Sequence, residues 1–512
     1  MNEHFRASKD LRNDDYRPPR QQIPNRGYGR VDHVEFNLER PNSALVAIDF
    51  VDAEWLDLQG QQDAKFLVND DSRRTAAWKF YKEQRSRNVQ LPNPFEMAPV
   101  FRLEVELDIG ETWFGLPYLP PRSSRLFDVA LGSIEAQWIE LDHISKFSDS
   151  TPEGAGLLYT SLFSEPIPVL ATGRLPTPQQ GTALNDIFSL ANLPEADEYN
   201  LGLVLSKSST EYLAVYDVGQ GNANALLSCR RRPTMYFDMG AGVYRNRHTT
   251  PVGLRFCVSE DPVVILSHWD ADHWAGACAT SIGGHYPALQ SQWIAPLQVV
   301  GPVHIAFAFD LATRGNLHIY SPSLGTIVTT TSVTGQLTSV TTGSGSTRNS
   351  SGLVLCIENS TLPQGPGSWL LTGDCDYRYF MSPLNPAPSI ALVVPHHGAD
   401  LDSTFYPGPT TKQTYRRIVY SFGKNNAHGK TSVQHPTMAG VDAHDSAGWN
   451  HGAWIPMTSS PGYTRPYGDA IATCEHSPGT FRNGAIIGWT SAPTPSGLPC
   501  SGLGCSTSLL QS

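Results

Sequence analysis

From about residue 210 onward the chain repeats one device, a short apolar run that stops at a polar residue or glycine. YLAVYDV (212–218), TMYFDMG (234–240), VVILSHWD (263–270), LVLCIEN (353–359), SWLLTGD (368–374) and IALVVPHHG (390–398) all follow it. Runs of this length, rich in Val, Ile and Leu and closed by turn residues, read as strands. In α/β proteins ligand groups gather in the loops beyond strand ends. The expected class is therefore α/β (α+β), with its chemistry in those loops.

The chain has 512 residues, more than one hydrophobic core sustains, so two domains are expected. Charge divides the same way: residues 1–200 hold 20 Lys/Arg against 31 Asp/Glu, while residues 201–512 hold 17 of each. The first 30 residues are rich in Arg, Asn, Asp, Gln and Pro and read as a mobile arm. In FRLEVELDI (101–109) apolar and charged residues alternate, as in a half-buried strand. With IEAQWIELDHI (134–144) it suggests a β-rich accessory domain over 31–165. The Pro, Gly and Thr that follow suggest a linker over 166–205, leaving 206–512 as the second domain. Residues 322–351, mostly Thr, Ser and Gly, read equally as a loop or as polar strands.

A neutral second domain can hold nucleic acid only through a local basic patch. Arg230, Arg231 and Arg232 are the densest such run, and a short run of this kind is ordinarily a solvated loop. The acidic first part offers a surface for a protein partner. Eight cysteines, at 229, 257, 278, 356, 375, 474, 500 and 505, include no CxxC pair, which excludes a zinc ribbon. The polar N-terminus and the lack of any long apolar run exclude a signal peptide and a membrane span. A cytoplasmic protein with reduced thiols is expected.

After VVIL, the order His268, Asp270, Asp272, His273 places four ligand types within six residues. Imidazoles with carboxylates suit divalent cations, His favouring zinc and Asp manganese or iron. A polar loop with capping aspartates would leave the His pair unexplained. Asp374 and the His396–His397 pair end two further strands. Alone, each has a plain reading, as a turn cap or a satisfied interior histidine. Together with HxDxDH they suggest one metal centre.

The series DVGQGNA (217–223), YFDMG (236–240), LSHWDADHWAG (266–276), NSSGLVL (349–355), LLTGD (370–374), VPHHGA (394–399) and SFGKNN (421–426) resembles the metallo-β-lactamase-like domain of the ComEC competence-protein family. The match covers about 210–440. It implies a four-layer αββα sandwich, here with an additional β-rich N-terminal domain. It also implies two divalent metal ions, zinc or manganese. His268, Asp270, Asp272, His273, Asp374 and His396 would be ligands, with Asp374 bridging and Asp272 and Asp374 catalytic. Asp217 and Asp238 would support the ligands from behind, and Gly219, Gly221 and Gly240 would allow tight turns beneath the metals. His397, Lys424 and His435 are further candidates. Asn222 stands where the family has Asp, and Ala399 where it has Ser. The expected His-Pro is delayed to His435-Pro436, with His428 as a competitor. The family's membrane-spanning segments are missing, so DNA uptake is not implied.

Two cations acidify water and neutralise the attacked group, for a phosphodiester or a carbonyl alike. A carboxylate at Asp270, where lactamases carry imidazole, hardens that site and favours manganese. The expectation is a metal-dependent hydrolase using a metal-activated hydroxide, namely a phosphodiesterase or nuclease acting on nucleic acid or a nucleotide. Hydrolysis of small esters, thioesters or lactones is the alternative. A catalytically silent binding module is the alternative from another class. Lys424 and Asn425 would touch phosphate or simply form a turn. His444, His451 and His476 are expected at the surface.

Overall fold

The computed structural model describes residues 1–6, 22–36, 43–87, 89–108, 126–147, 156–206, 210–279, 285–321, 327–332, 335–426, 435–456, 468–475 and 484–494. The fold is mixed α/β, and the chain divides into two compact units. One comprises Met1–Glu195 with Leu297–Ile319, the other chiefly Ala196–Pro296 and Tyr320–Asn426 with the C-terminal segment.

The first unit is built on six strands, β1 (Gly27–Phe36), β2 (Ser43–Asp52), β3 (Val100–Asp108), β4 (Trp138–Lys146), β5 (Gly156–Tyr159) and β6 (Ile167–Arg174). They close into a barrel in the order β1-β2-β3-β5-β6-β4, which leaves no strand edge unpaired. Alternation explains the closure. Phe101, Leu103 and Val105 of β3 join Val31, Ile48, Phe50, Ile139, Leu141 and Leu158 in one apolar cluster. Arg102 and Glu104 point the other way, yet they too are buried. The helix Pro302–Ala312, buried along its whole length, packs beside them and sets His304 against Asp32 and Asp49.

Three expectations about this half are corrected. The arm is tied down at both ends: Glu3–Phe5 forms a 3-10 turn with Phe5 edge-on to Phe307, and β1 begins at Gly27. Residues 7–21 lie outside the described residues. Residues 166–205 are no linker, since β6 closes the barrel and Pro178–Ile187 forms a capped helix burying Ala183, Leu184 and Ile187. Within 134–144 the strand begins only at Trp138, because Phe127–Glu135 is helical.

The second unit contains two sheets. One runs β11-β10-β9-β8-β7-β20, from β7 (Tyr212–Tyr216), β8 (Ala223–Leu227), β9 (Pro233–Met239), β10 (Val263–Ile265), β11 (Trp293–Pro296) and β20 (Gly484–Ile487). After β12 (Leu317–Tyr320), the other takes β13 (Ile327–Thr331), β14 (Gln336–Thr342), β15 (Leu353–Asn359), β16 (Gly367–Leu371), β17 (Ser389–Val393), β18 (Arg417–Tyr420) and β19 (Ala470–Ala472) in sequence order. Within the Thr/Ser-rich stretch, Ile327–Thr331 and Gln336–Thr342 are strands, while 343–351 form turns. Leu213, Phe237, Ile265, Leu353, Trp369 and Val393, drawn from both sheets, share one core. Buried on both faces, these strands need apolar residues at every position, which explains their unbroken runs.

β9, β10 and β11 run parallel, as do β16 through β19. Parallel neighbours bring their C-terminal ends to the same edge, so the loaded loops after β9, β10, β16, β17 and β18 gather there. Among the described residues no helix is long and apolar enough to cross a membrane. Among the described residues Cys229, Cys278, Cys356, Cys375 and Cys474 are not in disulfides, whereas Cys257 is disulfide-bonded. The expectation that all thiols are reduced is corrected accordingly.

Candidate metal centre

β10 delivers Ser267 and His268, and a 3-10 turn at Ala271–His273 then folds His273 back beside His268, ring centroids 4.1 Å apart. That turn lies directly on the loops after β7 and β9. A Cβ at Gly221 would stand 2.5 Å from the Asp272 carbonyl oxygen, and one at Gly240 would run into the same atom. Three site residues, Asp238, His396 and His397, adopt positive φ angles of 65°, 48° and 54°. Such strain in residues other than glycine gathers where function dictates side-chain direction.

Asp374, at the end of β16, stands among the histidines. Its Oδ1 is 3.1 Å from His273 Nε2, while its Oδ2 is 3.9 Å from His268 Nε2 and 3.8 Å from His396 Nε2. His397 Nε2 lies 3.2 Å from Asp272 Oδ2. The rings are held from behind. His273 Nδ1 is 2.8 Å from Asp238 Oδ2, whose carboxylate also accepts the Ser267 backbone N–H and hydroxyl. His397 Nδ1 donates to the Ser421 carbonyl oxygen at 2.7 Å. With the protons on Nδ1, both Nε2 lone pairs would face the cluster and be open to a cation.

The inward atoms behave as ligands without an internal partner. His268 Nε2, His273 Nε2 and Asp374 Oδ1 are buried and make no hydrogen bond, although His273 and Asp374 are within hydrogen-bonding distance. Their ligand atoms and that of His268 all lie within 4.8 Å of one another. Burial alone would raise Asp374, but the imidazoles of His273 and His396 hold it well below the usual carboxylate range. Burial would lower His273, but Asp374, Asp238 and Asp272 raise it well above its ordinary value. Cationic charge is strongly favoured here, as a proton or as a metal ion.

A second buried group, Asp32, Asp49 and His304 in the barrel unit, shows the contrast. There His304 Nε2 makes a 2.7 Å hydrogen bond to Asp32, and Arg102 pairs with both carboxylates at 2.6 and 3.4 Å. That group already carries Arg102 and His304 as cations, although Asp49 Oδ2 makes no hydrogen bond.

The expected residues are distributed unevenly. His268, His273 and Asp374 converge, and so do Asp272, His273 and His397. His397 therefore stands among the inward groups rather than behind them. His396 is more open, its side chain 26% exposed, and its ring faces His435 at 5.2 Å. His435 is buried and pinned by Asn426, which bonds both its N–H and its carbonyl oxygen. Asp238 supports His273 directly, whereas Asp217 caps the turn at Gly219. Asp270 is gripped by Arg348, which the sequence reading did not single out. Its one signal was its place immediately before NSSGLVL.

Lys424 is exposed, and Asn425 takes a left-handed turn conformation with its carbonyl oxygen on His248. Arg231 and Arg232 belong to a hairpin turn, Arg231 over the Tyr212 ring and Arg232 paired with Glu260. His444 and His451 are not at the surface. Each is buried with its Nε2 on a tyrosine hydroxyl, Tyr377 and Tyr420 respectively, and burial pulls His444 down to about 4. His428 and His476 lie outside the described residues. No family model, curated protein or solved structure matches this chain.

Proposed function

We propose that the second unit is a hydrolase of the four-layer αββα metallo-β-lactamase type, related to the ComEC-family domain, which holds two divalent cations, zinc or manganese, and cleaves phosphodiesters. The observation that carries this is the orientation of Asp374, a buried carboxylate whose two oxygens face different imidazoles. The inward atoms of His268, His273 and Asp374 form one group and those of Asp272, His273 and His397 another, with His396 beside Asp374 and Asp270 beside His268. The residues fit such ions because inward-facing, buried nitrogen and oxygen atoms lack hydrogen bonds.

Cations held there would polarise the scissile group and acidify water. The chain's own residues supply the rest. Asp238 and the Ser421 carbonyl fix the tautomers and ring angles of His273 and His397. Asp272, its side chain 25% exposed against 5% for Asp374, is the more open of these two carboxylates and would meet an incoming water first. Asp374, 5% exposed, has its charge held back from bulk water, where it acts most strongly. Phosphodiester cleavage is favoured over carbonyl chemistry by the ComEC-like motif order and the carboxylate at 270.

The test is metal analysis of the purified chain, followed by assays in manganese and in zinc on bis(p-nitrophenyl) phosphate, single-stranded DNA and RNA. Opening of a lactone or thioester with all diesters untouched would transfer the site to carbonyl chemistry. A metal-loaded protein inert on every class would favour a binding module.

A further inference from the structure

We propose that Arg348 is a positioning residue for the metal centre, turning Asp270 into a ligand through one oxygen only. The inference rests on the metal-centre reading above. Arg348 Nε and Nη2 both reach Asp270 Oδ1, at 2.9 and 2.8 Å. The other oxygen, Oδ2, is thereby turned inward to 3.4 Å from His268 Nε2. A guanidinium bound this way to one oxygen prevents the carboxylate from rotating or chelating an ion with both oxygens.

The arginine is itself held firmly. Its side chain is 5% exposed, and it sits on a loop that bonds to itself through Thr347 and Ser350. The Leu353 N–H just beyond donates to the Ser267 carbonyl at 2.6 Å, tying this loop to the residue before His268. A buried guanidinium is costly unless its hydrogen bonds are satisfied, and pairing with a carboxylate beside the imidazoles is one that Arg348 makes. Lysine would keep the charge but not the paired geometry.

The experiment uses the full chain, with cobalt(II) and zinc titrated against a competing chelator, and compares wild type, Arg348→Lys, Arg348→Ala and Asp270→Asn. Arg348→Ala is expected to weaken one ion by about 10- to 100-fold and leave the other near wild type. Asp270→Asn should weaken the same ion, and Arg348→Lys should recover only part of the loss. The cobalt absorption of that ion should change in both arginine variants, because its carboxylate contact changes. Wild-type affinity and spectrum in Arg348→Ala would overturn the role of Arg348. Should the alanine variant fail to fold, a wild-type spectrum and affinity in Arg348→Lys would overturn it equally. A wild type that binds no ion at all would instead overturn the metal centre itself.

Discussion

His273 Nε2 and Asp374 Oδ1 stand 3.1 Å apart, and neither forms a hydrogen bond to the other or to anything else. With its proton on Nδ1, His273 Nε2 is an acceptor like the carboxylate oxygen, and two buried acceptors left unsatisfied cost about 1–3 kcal/mol each unless a third body satisfies both. A divalent ion between them would do so.

Purified protein should therefore carry about two divalent ions per chain. Asp374→Ala is expected to lower the occupancy of both, since its two oxygens face different imidazoles. Elemental analysis after gel filtration decides it, and full occupancy without Asp374 would remove that residue from the centre.

Asp238→Asn tests support from behind. The left-handed backbone at 238 suits asparagine, so the chain path should survive. The amide, however, cannot accept from the Ser267 N–H, the Ser267 hydroxyl and His273 together. Zinc affinity should drop about 10- to 100-fold with the circular dichroism spectrum unchanged.

For the reaction, bis(p-nitrophenyl) phosphate should be cleaved faster with manganese than with zinc, and Asp272→Ala should abolish cleavage in a folded protein. Retained activity in that variant would take Asp272 out of the chemistry.

In the barrel unit, burial pulls His304 down, but Asp32 and Asp49 overcome this and raise it to about 9. A histidine raised above its unfolded value near 6.5 contributes stability that is complete below pH 6.5 and lost as pH climbs through 9. The amount is on the order of 3 kcal/mol. Denaturant unfolding followed from pH 6 to pH 10 should show this loss. In His304→Gln the slope should flatten.

Two glycines should respond with opposite sign. Alanine at Gly240 would drive its methyl into the Asp272 carbonyl and is expected to cost about 3 kcal/mol or more in chemical denaturation. Alanine at Gly202, in the helix Glu198–Ser206 with open space around it, should stabilise by about 0.5–1 kcal/mol.

What the sequence determined by itself was everything written in local pattern. Alternation in 101–109 located β3 and its inward face, and unbroken apolar runs located the strands that are buried on both sides. HxDxDH, Asp374 and the His pair marked the residues whose ligand-type atoms gather, because a strand end must put its next residues into the adjoining loop. Only the tertiary structure decided which distant positions meet. It set His304 against Asp32, Arg348 on Asp270, and His397 rather than His396 beside Asp272. It also buried His444 and His451 against tyrosines and used 166–174 to close a barrel. The physical reason is that periodicity records whether a side chain is buried, while its partner depends on strand register and backbone angle. Two adjacent histidines with the same local sequence signal thus part company on the direction in which a left-handed turn throws each ring.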